Sequence, residues 1–504
     1  MSQSPTDPEE ETLGQKMARA LSYSTLITVV LQILGFLRSI ILAKLLLPTD
    51  FGLYGLVMTV VTGLQVFTQL GVKQVVITTP VEDDAQKLRW ASTAWWVNLI
   101  KGCFLLVIIL ALAPMFGEFF DEPRLVKLLR LAALVPFFQM ISSVGLIYLN
   151  KELDLKRLFY WEGIKGILGF CVTVGLCYWL ESALALVIGV IFSEAFGAIL
   201  SYIVAPMWPK FALDRPLLKR VARYTRSTLP VAVLTFVTTQ VDDIAIGKIL
   251  GARELGFYTL AYGFALLPIK LISEILDRTL LPAFSQSIEQ GGIESGARLW
   301  QQLFEALAWL LAIILFPIFY FHNEVIEVFY GEKWAAAAPL LAIMLWLGLF
   351  RSWTLISGRM LYAIDRPEVN ARAKMVETVL FLAILFYLVP RYGAVGGAIA
   401  GLVNYILAFS FRSVYVVWRC GLPWGLLPRA ALKLATAFAL VAPIWWIARD
   451  NGVLSLLAGL LAAGLIAALA YRSERELIGK VRENLKRPGK NTDRDASPGE
   501  ASDG

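Results

Sequence analysis

Histidine and cysteine are nearly missing from this chain: His322 is the only imidazole in 504 residues, and there are four cysteines. Cys103, Cys171, Cys177 and Cys420 lie in or against apolar runs that no oxidising aqueous face reaches, so they read as small hydrophobes rather than a disulfide framework. Such parts assemble no zinc cluster and suggest no Ser-His-Asp or Cys-His nucleophile. Charge is scarce as well. Only 17% of residues are charged against 58% hydrophobic, and a mean hydropathy of +0.66 excludes an ordinary soluble domain. Short alternating segments of the barrel type are lacking too, so lipid is met by helices. The chain reads as an all-α integral membrane protein.

A spanning helix needs about 20 mostly apolar residues, and about fourteen such windows recur between Leu21 and Tyr471. The polar, acidic start, residues 1–12, lacks the basic opening of a signal peptide, and the first apolar run is too long for a cleaved one, so it is expected to stay attached. A formal charge of +7 invites a nucleic-acid reading, but the basic residues flank the spans and serve to orient them. Eighteen, among them Lys87, Lys151, Arg157, Arg220 and Arg372, fall on one side, and six, among them Arg124, Arg253, Lys333 and Arg391, on the other. The bias, about three to one, puts the first side and both termini in the cytoplasm, with no nucleic-acid partner.

What is present is a repeat. Ile41-Leu-Ala-Lys-Leu-Leu-Leu-Pro-Thr-Asp-Phe-Gly-Leu-Tyr54 returns, 204 residues on, as Ala245-Ile-Gly-Lys-Ile-Leu-Gly-Ala-Arg-Glu-Leu-Gly-Phe-Tyr258. Phe119-Phe-Asp-Glu122 likewise resembles Phe329-Tyr-Gly-Glu332. Two lobes of six helices follow, 13–206 and 223–418, joined by a basic connector, 207–222. Two accessory helices lie within 419–471, and a polar tail without apolar periodicity, 472–504, is expected to be disordered. Even helix counts make the repeats parallel, and parallel membrane lobes enclose a central cavity that opens to alternate sides.

Ionisable groups at membrane depth are costly and are functional candidates by default. In the second window Thr62, Gln65, Gln69 and Lys73 form a polar stripe at helical spacing, matched in the eighth by Lys270, Glu274, Asp277 and Arg278. The first window holds Gln32 and Arg38, and its mate holds Gln240, Asp242 and Asp243. The shift of 204 pairs Arg38 with Asp242, either as an ion pair between lobes or as an anion-binding arginine beside a carboxylate for H⁺ or Na⁺. Arg351 and Arg359, two turns apart, either read phosphate together or, for Arg359, snorkel to headgroups. Glu162 with Lys165 and Lys374 with Glu377 are adjacent-turn pairs, and Glu194 and Asn404 are candidate glue between helices.

The first repeat motif, Val241-Asp-Asp-Ile-Ala-Ile-Gly-Lys-Ile-Leu-Gly251, Leu281-Pro-Ala-Phe-Ser285 and Pro390-Arg-Tyr-Gly-Ala-Val-Gly-Gly397 resemble the polysaccharide transporter family of the multidrug/oligosaccharidyl-lipid/polysaccharide exporter superfamily. That resemblance implies a cytoplasmic-membrane flippase for polyprenyl-pyrophosphate-linked oligosaccharide, working in surface polysaccharide assembly without a cofactor, with H⁺ or Na⁺ coupling and other assembly proteins as partners. Arg38, Lys73, Lys270, Arg351 and Arg359 are then the pyrophosphate candidates, and Asp242, Asp243, Glu274 and Glu377 the coupling or gating ones. Gln32, Gln65, Gln69 and Gln240 would line the cavity. A cation-coupled drug exporter, a peptidoglycan-precursor flippase and a membrane-embedded glycan polymerase are the alternatives, and the short outer loops argue against the polymerase.

Overall fold

The computed structural model describes residues 13–68, 71–81, 83–424, 426–448 and 452–473. The expected polar start 1–12, Gln69 and nearly all of the expected tail lie outside them. The first half runs α1 (Leu13–Leu45), α2 (Pro48–Phe67), α3 (Val72–Thr78), α4 (Asp84–Phe119), α5 (Pro123–Ala132), α6 (Leu134–Met140), α7 (Gly145–Lys151), α8 (Leu155–Leu180) and α9 (Ala183–Val204). The second half runs α10 (Arg215–Leu250), α11 (Ala252–Tyr320), α12 (His322–Tyr330), a 3-10 turn (Glu332–Ala337), α13 (Ala338–Ala363) and α14 (Pro367–Arg419), followed by α15 (Leu426–Ala448) and α16 (Gly452–Ser473).

Among the described residues ten helices are long and apolar enough to cross a membrane, or eleven if the bent run from Pro123 to Lys151 is one span. The sequence windows are more numerous because several fuse into single helices. α11, with 69 residues, would stretch about 100 Å if straight, over three times a bilayer's hydrocarbon thickness. It breaks instead at Gly291 and Gly292, the latter at φ 69°. α14 breaks at Gly393, φ 62°. Each arm covers one expected window. Asp83, Asp154 and Asp214 cap the starts of α4, α8 and α10 by accepting backbone N–H groups three residues on. Cys103 and Cys171 sit on the outer surface rather than in the core, since their helix faces point away from the bundle.

The duplication is visible as a reciprocal contact. α2 and α11 cross so closely that a Cβ at Gly52 would fall 1.6 Å from the carbonyl oxygen of Ala252, and one at Gly256 1.8 Å from that of Pro48. The repeat shift carries Pro48 to Ala252 and Gly52 to Gly256, so the contact is its own mate, as at a two-fold interface. Other ties between the halves gather at the same end. Lys248 at the end of α10 pairs with Asp121 beyond α4 at 2.6 Å. Lys333 donates to the carbonyls of Lys44 and Leu46, both at 2.9 Å, and Trp334 Nε1 donates to Ala43. A lysine on the free carbonyls of a helix C-terminus satisfies groups that the helix cannot and meets the negative end of its dipole.

The segment before α10 is strapped to α4, with Ser92 accepting from Lys210 N–H and Thr93 donating to Ala212. The first turns of α10 then pack Leu217 and Val221 against Val72, Trp90 and Tyr148 of the first half. α15 and α16 lie against α11, where Lys433 reaches Glu305.

Candidate functional site

Below the glycine crossing lies a cavity of about 420 Å³ between the halves, walled by α1, α2, α8, α9 and α11. Gln32, Arg38 and Ser39 reach it from α1, and Lys270 from α11. Gly35 and Gly263 face it with no atom within 4 Å of where a Cβ would stand, so these positions keep it open. Among the described residues its wall holds two cations, one from each half, and no carboxylate. Arg38 and Lys270 form no ion pair with any described residue. Unpaired cations at membrane depth need a wet cavity or an anion, and this one supplies the first and is suited to the second.

The ion pair between Arg38 and Asp242 does not form. Asp242 is buried in the second half, accepting from the Tyr258 hydroxyl at 2.6 Å, and its other carboxylate oxygen has no partner among the described residues. The Thr59 hydroxyl lies 3.4 Å from Asp243 Oδ2 and 3.2 Å from Gln240 Oε1, both acceptors, so Asp243 and Gln240 face α2 rather than the cavity. Glu274 bridges the halves by accepting from Thr28 at 3.0 Å.

Lys73 leaves the expected stripe because the helix does not continue to it. The Thr68 hydroxyl bonds back to the Leu64 and Gln65 carbonyls where α2 ends, and α3 starts as a separate helix after Gly71, whose φ is 49°. Gln65 donates to Gln139 at 2.9 Å, while Lys73 faces a separate pocket inside the first half. Arg351 and Arg359 do not act together. Arg359 is bound by Asp277 at 2.7 Å, and Arg351 contacts Tyr262 at 3.4 Å and lies 5.9 Å from the Tyr405 ring, outside the cavity wall. Glu377 pairs not with Lys374 but with Arg412, in a buried contact that Asn370 completes at 2.9 Å. Lys165 takes Glu194 at 2.6 Å, so neither glutamate is free for cargo, and among the described residues nothing bonds to the buried Asn404 Oδ1. Arg412 and Lys333 were missed, although Lys333 directly follows the weak Phe329-Tyr-Gly-Glu332 echo.

A family described as polysaccharide biosynthesis protein matches residues 41–339, beginning at the first residue of the repeat motif. The chain belongs to this family. Among its relatives is a membrane protein in the cps region of Klebsiella pneumoniae, 25% identical over 81% of this chain and 84% of its own length. The lipopolysaccharide biosynthesis protein WzxC of Escherichia coli K12 is 22% identical over 79% of this chain and 78% of its own. In fold, the chain is similar to the lipid II flippase MurJ in an inward closed conformation, with a TM-score of 0.69, covering 90% of this chain and 99% of that one. At 12% identity that likeness shows the fold alone and not the cargo. Within the family motif Asp50 has a clear structural task. One carboxylate oxygen accepts from Leu47 N–H at 3.3 Å and the other from Ala183 N–H at 3.0 Å, joining the starts of α2 and α9 behind the cavity.

Proposed function

We propose that this protein carries polyprenyl-pyrophosphate-linked oligosaccharide across the cytoplasmic membrane for surface polysaccharide assembly. It is a transporter rather than an enzyme. The observation that carries the reading is the pair of unpaired cations, Arg38 and Lys270, facing one cavity from opposite halves. A pyrophosphate headgroup loses its hydration in hydrocarbon at a cost of many kcal/mol, and a cationic wet chamber between two lobes removes most of that cost. A cation-coupled drug exporter is disfavoured, because the wall carries positive charge and no carboxylate.

By the charge bias of the flanking segments, the glycine crossing lies on the outer side and both termini in the cytoplasm. The crossing, the ion pair of Lys248 with Asp121 and the seat of Lys333 on α1 then close the outer end, and rocking of the halves opens it. Asp242, buried on α10, and its half-buried neighbour Asp243 are our candidates for H⁺ or Na⁺ coupling. Arg38 and Lys270 bind the pyrophosphate, and Gln32 lies beside them. Proteins that polymerise or export the glycan are the expected partners.

The test is Arg38→Ala with Lys270→Ala in cells that make the native glycan. The variant protein should reach the membrane at normal abundance while surface glycan falls at least about tenfold, as expected for lost charge-assisted contacts, and lipid-linked intermediate accumulates inside. Normal surface glycan in the double variant would overturn the assignment.

A further inference from the structure

A second polar pocket of about 360 Å³ lies inside the first half, and no part of the cation chemistry accounts for it. We propose that it is a sugar subsite, holding a neutral, hydroxyl-rich unit of the cargo's headgroup while the phosphates stay with Arg38 and Lys270; this rests on the transport reading above.

Three observations support it. The wall balances Lys73 and Lys165 against Glu162 and Glu194, so it carries no net charge, in contrast to the cationic cavity. Two carboxylates would repel a pyrophosphate, whereas the amide and hydroxyl groups of the wall supply both donors and acceptors to sugar hydroxyls. Secondly, the side chains of Lys73, Asn98 and Asn150 face the pocket and take no hydrogen bond from any described residue, leaving their polar atoms available to a ligand. Trp161 adds an aromatic wall, its ring fixed by an N–H bond to Gly197 at 2.9 Å.

Thirdly, a broken span lines the pocket. Ser142 and Ser143 form the break between α6 and α7, where the axis turns by 55°, and Lys73 reaches the pocket from the first turn of α3. Interrupted backbone at membrane depth persists where it lines a polar cavity, and in transporters such breaks mark binding sites. The pocket also continues the route of the cavity. α8 presents Thr173 to the cavity and Lys165 to the pocket, and α9 presents Val190 and Glu194. These spacings put the two sites roughly 6–12 Å apart along the helix axes, so one extended headgroup spans them.

The experiment compares two probes on the full-length protein in lipid nanodiscs: synthetic polyprenyl pyrophosphate, which has no sugar, and lipid-linked oligosaccharide extracted from the host strain. Asn98→Ala with Asn150→Ala should weaken oligosaccharide binding about tenfold and leave polyprenyl pyrophosphate binding within about twofold. Arg38→Ala with Lys270→Ala should weaken both. Because Asn98 and Asn150 bond through their side chains to no described residue, their truncation should leave the fold intact; Asn98→Leu, which keeps the volume and removes the amide, provides a second variant with the same expected selectivity. Equal effects on both probes from either pocket variant, or none on either, would overturn the subsite while leaving the cation assignment standing. Failure of the wild-type protein to bind either probe would overturn the transport reading and the subsite together.

Discussion

Gly52→Ala adds one methyl group where there is no room for it. Its Cβ would sit 1.6 Å from the Ala252 carbonyl oxygen, and since that neighbour is backbone, α2 and α11 must part by about 1.5 Å before the contact becomes tolerable. Overpacking of this kind costs about 1–3 kcal/mol, or about 5- to 150-fold in a two-state equilibrium. The cost falls only on the state in which the halves touch at this end, so the substitution shifts the population toward the state that is open there. Lys248 and Asp121, at 2.6 Å across the same seam, provide the reporter. With the four native cysteines replaced by alanine, Lys248→Cys and Asp121→Cys should cross-link readily in the parent and at least about fivefold less in Gly52→Ala. Gly256→Ala, whose Cβ would meet the Pro48 oxygen at 1.8 Å, should behave alike because it occupies the mated position. Gly55→Ala is the control, one turn along α2: its Cβ would meet the Thr259 methyl at 3.4 Å, and cross-linking should match the parent. Equal cross-linking in Gly52→Ala and Gly55→Ala would show that the crossing does not set the closed state.

Three further substitutions separate closure, packing and surface pairing. Lys333→Met removes the donor that holds the Lys44 and Leu46 carbonyls, so the same cross-link should weaken by severalfold while thermal stability in detergent changes little. Arg412→Ala leaves Glu377 as a lone buried charge and should destabilise the protein by about 3–5 kcal/mol, whereas Glu377→Met with Arg412→Leu should recover most of that loss in a thermal unfolding assay. Arg359→Ala breaks only a half-exposed pair with Asp277, so stability should fall by no more than about 1 kcal/mol and surface glycan should stay near normal; a strong transport defect would restore Arg359 as a cargo residue.

The helices were legible because lipid imposes a length and a composition that the chain cannot evade, and the shift of 204 residues already contained the reciprocal glycine crossing. The break after α2 was not legible. Thr62, Gln65, Gln69 and Lys73 keep helical spacing, and Gly71, at φ 49° just before α3, looks the same in sequence as a glycine that a helix tolerates. Side-chain partners across helices were equally hidden. Glu377 has Lys374 one turn away, yet Arg412, brought alongside where α14 folds back at Gly393, wins because it also satisfies Asn370 and the Ala408 carbonyl. Spacing on one helix gives the faces of charges, but only the fold of the chain gives their neighbours.

Duplication supplied the frame, and function sits where the two copies differ. In the second half Asp242 lies against Tyr258, and in the first the same geometry brings Arg38 near Tyr54, both on the cavity wall. One backbone arrangement therefore holds a buried acid in one lobe and a cavity-facing cation in the other. Lys270 has an apolar mate, Val66, and Lys73 has Asp277, which Arg359 neutralises. The positive field in the chamber is consequently off the two-fold axis, although the walls that close it are symmetric. A cargo with phosphate at one end and sugar at the other is itself asymmetric, and such a ligand binds in one orientation only if its site breaks the symmetry of its container. The symmetric glycine crossing closes one end of the bundle, and the unlike side chains beneath it fix which way the headgroup lies.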